Sequence, residues 1–322
     1  MNRQAAQLKQ LISLVVPFYN ESAVIEAFFR TVPQVLETID HADYEIVCVN
    51  DGSKDNTLDL LVTAARANPR IKVVDLSRNF GKEAAMTAGI DIAEGDAVIP
   101  FDADLQDPPE LIPDLVRKWR SGHDVVIARR TERKSDTYAK RQTATLFYRV
   151  HNIISDVTIP ENAGDFRLMS RQAVDALKQL PENRRFMKGL FAWIGFEPTY
   201  VDYARQPRIA GKTKFSGWRL WNFALEGVTS FSTFPLRIWT YIGMVTALSS
   251  LVYALFLVLR TIAHGRDVPG YASIITATLF LGGIQLIGIG VIGEYVGRIY
   301  FESKRRPVYI VRKIYQACQG TK

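Results

Sequence analysis

Residues 98–109 read VIPFDADLQDPP. Val98, Ile99 and Phe101 have the β-branched and aromatic character of a buried strand end. Three carboxylates follow, Asp102, Asp104 and Asp107, and Pro108-Pro109 stops the strand from continuing. In an open α/β sheet, ligands gather beyond the carboxyl ends of strands. On an extended chain Asp102 and Asp104 would point to one side of that edge. Two such carboxylates repel unless a cation lies between them. Mg²⁺ suits the place, because it takes one or two protein carboxylates and fills its octahedron with phosphate oxygens and water. A solvated acidic turn is the plainer reading of a lone D-x-D, so the surroundings decide.

Those surroundings alternate strand and helix. Leu11–Val16 reads as a strand ending in Pro17-Phe18-Tyr19-Asn20-Glu21-Ser22, with Ser22 the expected N-cap of a helix carrying Val24, Phe28, Val32 and Leu36. Strands follow at Tyr44–Val49, Ile71–Leu76, Ala97–Phe101 and Asp124–Ala128, with helices at Leu58–Ala67, Glu83–Ala93 and Leu111–Arg120 between them. This alternation predicts right-handed βαβ crossovers and a mostly parallel sheet. The chain has no G-x-G-x-x-G after its first strand and no G-x-x-x-x-G-K-[ST], so a dinucleotide-binding dehydrogenase and a P-loop NTPase are disfavoured. The strand ends carry acid, amide and tyrosine instead: Tyr19, Glu21, Asp51, Asp102, Asp104. Such groups suit a nucleoside, a ribose and a divalent metal.

The net charge is +7, but Lys and Arg are scattered, and long apolar runs crowd the part of the chain after residue 230. A membrane surface or anionic phosphates fit this balance better than duplex DNA. Cys48 and Cys318 form no metal or redox spacing, and His41, His123, His151 and His264 are dispersed. Arg3 and Lys9 precede LISLVVPF, yet this short apolar run is broken by Pro17 and leads to no small-residue cleavage site, so it reads as a strand rather than a signal peptide.

Residues 129–149 are basic, either a solvated helix face or a rim for phosphates. NAGDFRLM (162–169) places Asp165 and Arg167 near a loop glycine, and FMKGLFAWIGF (186–196) reads equally as a core helix or a lipid-touching segment. RQPRIAGKTKFSGWRLW (205–221) combines a glycine-bearing basic loop with Trp218 and Trp221, the pattern of a phosphate clamp beside an interfacial helix. Ile238–Leu259 and Ala272–Gly293 are uncharged over 22 residues each, enough to cross a bilayer. Gly282, Gly283, Gly288 and Gly290 in the second run would allow close helix approach. Arg298, Lys304, Arg305, Arg306, Arg312 and Lys313 beyond it place both ends of the pair in the cytoplasm by the positive-inside bias. The expected organisation is a nucleotide-sugar domain over 1–215, an amphipathic juxtamembrane segment over 216–236, a two-helix hairpin over 237–297 and a basic tail over 298–322.

VVPFYNE, VNDGSKDNT, LSRNFGKEAAMTAG, FDADLQDPPE and NAGDFRLMS, in this order and followed by two apolar spans, resemble the polyprenol-phosphate glycosyltransferases of glycosyltransferase family 2. The similarity covers essentially the whole chain and is greatest to the bactoprenol (undecaprenyl-phosphate) glucosyltransferases. It implies a GT-A fold in a bacterial inner-membrane protein, and inverting transfer of glucose from UDP-glucose to undecaprenyl phosphate for O-antigen or other surface glycans. It further implies Mg²⁺ or Mn²⁺ as cofactor, with Asp102, Asp104 and Gln106 around the metal. Pro17, Tyr19, Glu21, Asp51 and Asp102 would hold the nucleotide sugar, and Asp165 would act as base or orienting group. Arg129, Arg141, Arg205 and Lys212 would bind the acceptor phosphate. The chain lacks the Q-x-x-R-W of processive synthases, which implies one sugar per acceptor. Another hexose or N-acetylhexosamine donor is the nearest alternative, and a non-catalytic membrane adaptor is the alternative of another class. Membrane lipid is an expected partner; a flippase, a second glycosyltransferase and a second copy of the chain are further candidates, and nucleic acid is not.

Overall fold

The computed structural model describes residues 9–130, 163–183, 185–203, 234–264 and 270–317. Eight strands form one mixed sheet: β1 Gln10–Phe18, β2 Ala42–Asn50, β3 Ile71–Leu76, β4 Ala97–Pro100, β5 Val125–Arg130, β6 Ala163–Ser170, β7 Pro198–Tyr203 and β8 Val311–Gln316. Their spatial order is β7-β5-β6-β4-β1-β2-β3-β8. The expected parallel unit is present in β4-β1-β2-β3, joined by α1 Ser22–Glu37, α2 Thr57–Ala67 and α3 Lys82–Ile92. β6 runs antiparallel to both β4 and β5, and β7 parallel to β5.

The period-2 alternation of the central strands divides their side chains between two cores. Leu14, Val16, Ile46, Cys48 and Val73 meet α1, α2 and α4 (Ile112–Arg120) through Phe28, Val32, Leu61 and Leu115. Val15, Val47, Val49 and Val74 face the other way, against Ala85, Met86 and Ala88 of α3, with α5 (Arg171–Lys178) and α6 (Met187–Trp193) on the same layer. α3 presses so close that a Cβ at Gly89 would strike Val15 and Val49. The apolar 186–196 segment resolves as a core helix: Met187, Leu190 and Phe191 are buried, and Trp193 stays exposed.

Local details differ from the sequence expectation in two places. Ser22 opens α1 without capping it; its N–H donates to Asp55 Oδ2 at 3.3 Å, so the loop after β2 supplies the acceptor. After β4 the chain turns at Ala103-Asp104 and Leu105 takes a φ of 52°, so Asp102 and Asp104 are not successive residues of an extended strand.

The tail expected to stand apart is a strand. β8 pairs antiparallel with β3, Val74 opposite Ile314, closing one sheet edge. Arg312 donates to Ser77 O at 2.6 Å and lies 3.4 Å from Asp75, Tyr309 donates to Asp91 at 2.9 Å, and Asn183 donates its backbone N–H and its side-chain amide to Glu302. Between the domain and this strand run α7 (Phe234–His264) and α8 (Tyr271–Ser303). Ser273–Ser303 is long and apolar enough to cross a membrane, with mean hydropathy 2.0; in α7 the strongly apolar part is the shorter Ile238–Tyr253. Of the four glycines expected to pack, Gly288 lies against the Trp239 ring, whereas Gly282, Gly283 and Gly290 face open space.

Candidate active site

An aromatic chain lies under the site. Phe18, Phe28, Phe101 and Phe166 are buried and touch in sequence, with Phe101 and Phe166 meeting edge-to-face at 5.2 Å. Edge-to-face packing fixes ring orientation as well as burying area. Asp102 follows Phe101 and Asp165 precedes Phe166, so this one contact brings two acids from distant parts of the chain to the same edge.

Lys82 lies between those acids. Its Nζ is 2.7 Å from Asp102 Oδ1 and 2.7 Å from Asp165 Oδ2. Burial opposes its charge, but Asp165 and Asp102 outweigh that and hold the ammonium above the usual lysine range. Asp165 is held down at about 2: burial works against ionisation, and Lys82 and Lys188 overcome it. Asp102 is shifted up, by burial and by the repulsion of Asp165 and Asp104 against the pull of Lys82. The neighbouring Glu83 is pushed up to about 8 by burial and by Asp165, and its Oε2 accepts from Met187 N at 3.3 Å. Near neutral pH the cluster therefore contains ionised Asp165, a largely protonated Glu83 and the cations Lys82 and Arg167.

Among the described residues, Gln106 Nε2, Asp165 Oδ1 and Arg167 Nε are buried polar atoms with no partner. Arg167 is 4% exposed, stacks on Phe191 at 4.1 Å and spends one N–H on Gly164 O. Buried polar atoms left unsatisfied by the fold are ones that can serve a ligand or a catalytic role. Among the described residues no group of three or more His, Cys, Asp or Glu forms a ready cage for a metal. Asp102 and Asp104 nevertheless fit a hard divalent ion that shares its shell with phosphate oxygens, and the Gln106 amide, whose N and O ends are interchangeable by rotation, offers a third oxygen.

The residues expected at the nucleoside end sit on two loops stitched together. Asn20 N donates to Ser53 Oγ at 3.0 Å, Lys54 N to Asn20 Oδ1 at 2.8 Å, and Glu21 N to Thr57 Oγ1 at 3.0 Å. Pro17 closes β1, Tyr19 is exposed, and Asp51 is buried. Asp51 accepts from Phe80 N at 2.7 Å and Gly81 N at 2.9 Å, while burial shifts its carboxyl up against those bonds. Asp51 thus braces the loop that delivers Lys82. A Cβ at Gly52 would run into the backbone of Arg78 and Asn79, and its φ is +62°. Only glycine allows the two loops to meet this closely.

Arg129 has another attachment. It makes a two-pronged ion pair with Asp202, at 2.7 and 3.0 Å, over the Tyr200 ring. Arg141, Arg205 and Lys212 lie outside the described residues. Lys82, Glu83, Arg167 and Lys188 were not singled out for the site by sequence reasoning; the signal available was LSRNFGKEAAM, which puts a lysine at the first position of a helix where cations are disfavoured. The acid loop is also tied down: Tyr203 donates to Asp107, Arg130 donates to Tyr203 at 3.0 Å, and burial with Asp107 pushes the Tyr203 phenol up to about 12.

Residues 13–178 match the family described as glycosyl transferase family 2, and residues 234–299 match the GtrB C-terminal hairpin. An uncharacterized glycosyltransferase of Synechocystis sp. is 56% identical over 304 residues, covering 94% of this chain and 95% of that one. The prophage bactoprenol glucosyl transferase homolog of Escherichia coli is 53% identical over 303 residues, 94% of this chain and 99% of that one. The bactoprenol glucosyl transferase of Shigella phage SfV is 53% identical over 301 residues, 94% of this chain and 98% of that one. The chain belongs to glycosyl transferase family 2 and is a glycosyltransferase.

Proposed function

We propose that this enzyme transfers glucose from UDP-glucose to undecaprenyl phosphate with inversion, yielding a lipid-linked sugar for O-antigen or other surface-glycan modification. The observation that carries this reading is end-to-end similarity, catalytic domain and C-terminal hairpin together, to bactoprenol glucosyl transferases at 53% identity. The site is consistent with it. Pro17, Tyr19, Glu21 and Asp51 form the nucleoside end, and Asp102, Asp104 and Gln106 are the residues to hold Mg²⁺ or Mn²⁺. Such an ion, when bound, offsets charge on the departing diphosphate.

The chain's own part is positioning. A phosphate monoester has a second pKa of about 6, so the acceptor is already anionic near neutral pH and needs little help from a base. Asp165, held at about 2, is a weak proton acceptor, which favours an orienting role: it keeps Lys82 placed so that an anionic acceptor is not repelled. If the rate of Asp165→Asn fell while acceptor affinity held, and the loss followed a titrating group, base catalysis would be the better account.

The pairing of β8 with β3 supports the two-span reading of the hairpin. β7 and β8 belong to one sheet and so lie on one side of a bilayer. If α8 crosses, α7 must cross back, whatever its apolar length. Arg298, Lys304, Arg305 and Arg306 around the end of α8 support a cytoplasmic position for that side by the positive-inside bias. Incubating membranes that contain the chain with radiolabelled UDP-glucose, UDP-GlcNAc, UDP-Gal or GDP-Man and undecaprenyl phosphate tests the reaction. Glucose in the lipid extract is expected. Label from another donor alone would replace glucose, and no turnover of any donor would favour the adaptor.

A further inference from the structure

Lys82 is an unusual residue in its place. It is the first residue of α3, where the partial positive charge of the helix end disfavours a cation. Gly81, with φ 102°, sets the chain direction there, and Asp51 grips the N–H groups of Phe80 and Gly81 immediately before it. The side chain is 44% exposed, and among the described residues its ammonium hydrogen-bonds to Asp102 and Asp165 alone. An ammonium on a flexible four-carbon stem is easily moved, unlike a planar guanidinium fork. It stands where two carboxylates would otherwise repel each other, and Asp102 is one of the oxygens a divalent ion would need. Two cations on one carboxylate repel as strongly as the acids do.

We propose that Lys82 is a place-holding cation. In the nucleotide-free enzyme its ammonium neutralises Asp102 and Asp165 and keeps a divalent ion off Asp102. Nucleotide at the Asp51 end, carrying its diphosphate towards the start of α3, draws the ammonium away and opens Asp102 to the metal. The order follows from the connectivity: Asp51, the Phe80-Gly81 peptides and Lys82 are consecutive links between the nucleoside end and the acid pair. Metal would therefore bind poorly before nucleotide and well after it. This proposal rests on the assignment of Asp102 and Asp104 to the metal.

Binding of Mn²⁺ to the full-length chain in lipid nanodiscs, followed by the paramagnetic resonance of the free ion with and without UDP, tests it. In the wild type, Mn²⁺ affinity should rise on adding UDP. Lys82→Met should bind Mn²⁺ without UDP about tenfold more tightly than the wild type, within the usual range for coupling between sites. Lys82→Gln, which keeps a polar chain, should behave like Lys82→Met, and Lys82→Arg, which keeps the charge on a less easily moved fork, should match the wild type without UDP and gain less Mn²⁺ affinity on adding it. A purely structural ion pair would leave metal affinity unchanged or weaken it on the same substitutions. If the wild type binds Mn²⁺ with UDP but neither neutral variant gains affinity without it, the place-holder is refuted and the metal assignment survives. If the wild type binds no Mn²⁺ with UDP present, the metal assignment fails and takes the proposal with it.

Discussion

Two triads in this molecule have the same composition, one lysine between two acids, at opposite ends of the same sheet. At the amino end Lys72 lies 3.4 Å from Glu45 and 2.9 Å from Glu94. Glu45 also accepts from Ser13 Oγ at 2.5 Å and from Glu94 N at 2.7 Å, and Lys72 is 8% exposed. At the carboxyl end Lys82 is 44% exposed, and Asp165 Oδ1 is buried with no partner among the described residues. In the first triad Glu45 is enclosed by backbone and hydroxyl groups and ties β1, β2 and β3 together, while Glu94 reaches solvent. The second is left incomplete on the side where a ligand would enter. Composition does not separate a structural ion cluster from a chemical one; the satisfaction of the last lone pairs does.

The sharpest way to break this contrast is to remove one charged side chain from each end. Asp104→Ala should lower transfer about 100-fold or more, a loss typical of removing a transition-state charge partner, and added Mg²⁺ or Mn²⁺ should not restore it. Its denaturation midpoint should barely move, and full activity would end the metal assignment. Lys72→Met should do the reverse. Stranding a buried carboxylate typically costs about 3 kcal/mol, readable by chemical denaturation, while the rate per folded molecule stays near wild type. Should Lys72→Met prove neutral in stability, the amino-end triad is not a structural clamp.

Gly52→Ala is predicted to act between these extremes. The added Cβ meets backbone at Arg78 and Asn79, and a φ of +62° is strained for alanine. A cost of about 2 kcal/mol is expected, together with weaker UDP binding, because the loop that positions Lys82 must shift. Unchanged UDP affinity would show that the two loops are mechanically independent. Taken per pH unit, the smallest effect concerns Glu83. Its folded pKa of about 8 lies above the usual carboxylate range, so its contribution is fully present below that range and is lost as pH rises from it through about 8. The wild type should lose stability relative to Glu83→Gln across that window, by no more than about 1.4 kcal/mol per pH unit. Parallel stability curves would refute the shift.

How much of this was readable from the chain differs between the two regions as well. The parallel unit β1 to β4 was legible because each strand is a run of apolar residues closed by a polar loop; Ile71–Leu76 was placed residue for residue. Asp102, Asp104 and Asp165 were legible as a set only through family resemblance, since nothing local links 102 to 165. What joins them is the Phe101–Phe166 contact, a tertiary event. Lys82 was overlooked because a lysine opening a helix reads as solvated surface until two distant acids converge on it. β8 was overlooked for a related reason: VRKIYQ alternates poorly and gains its strand character from pairing with β3.

That last pairing also bears on how the chain is made. The strand that covers the edge of β3 is synthesised after α7 and α8, so the sheet keeps an unpaired, aggregation-prone margin until residues 311–316 have emerged. Completion of the sheet thereby waits on both helices. A ribosome-bound intermediate halted just short of β8 should engage holdase chaperones, and extension past it should release them.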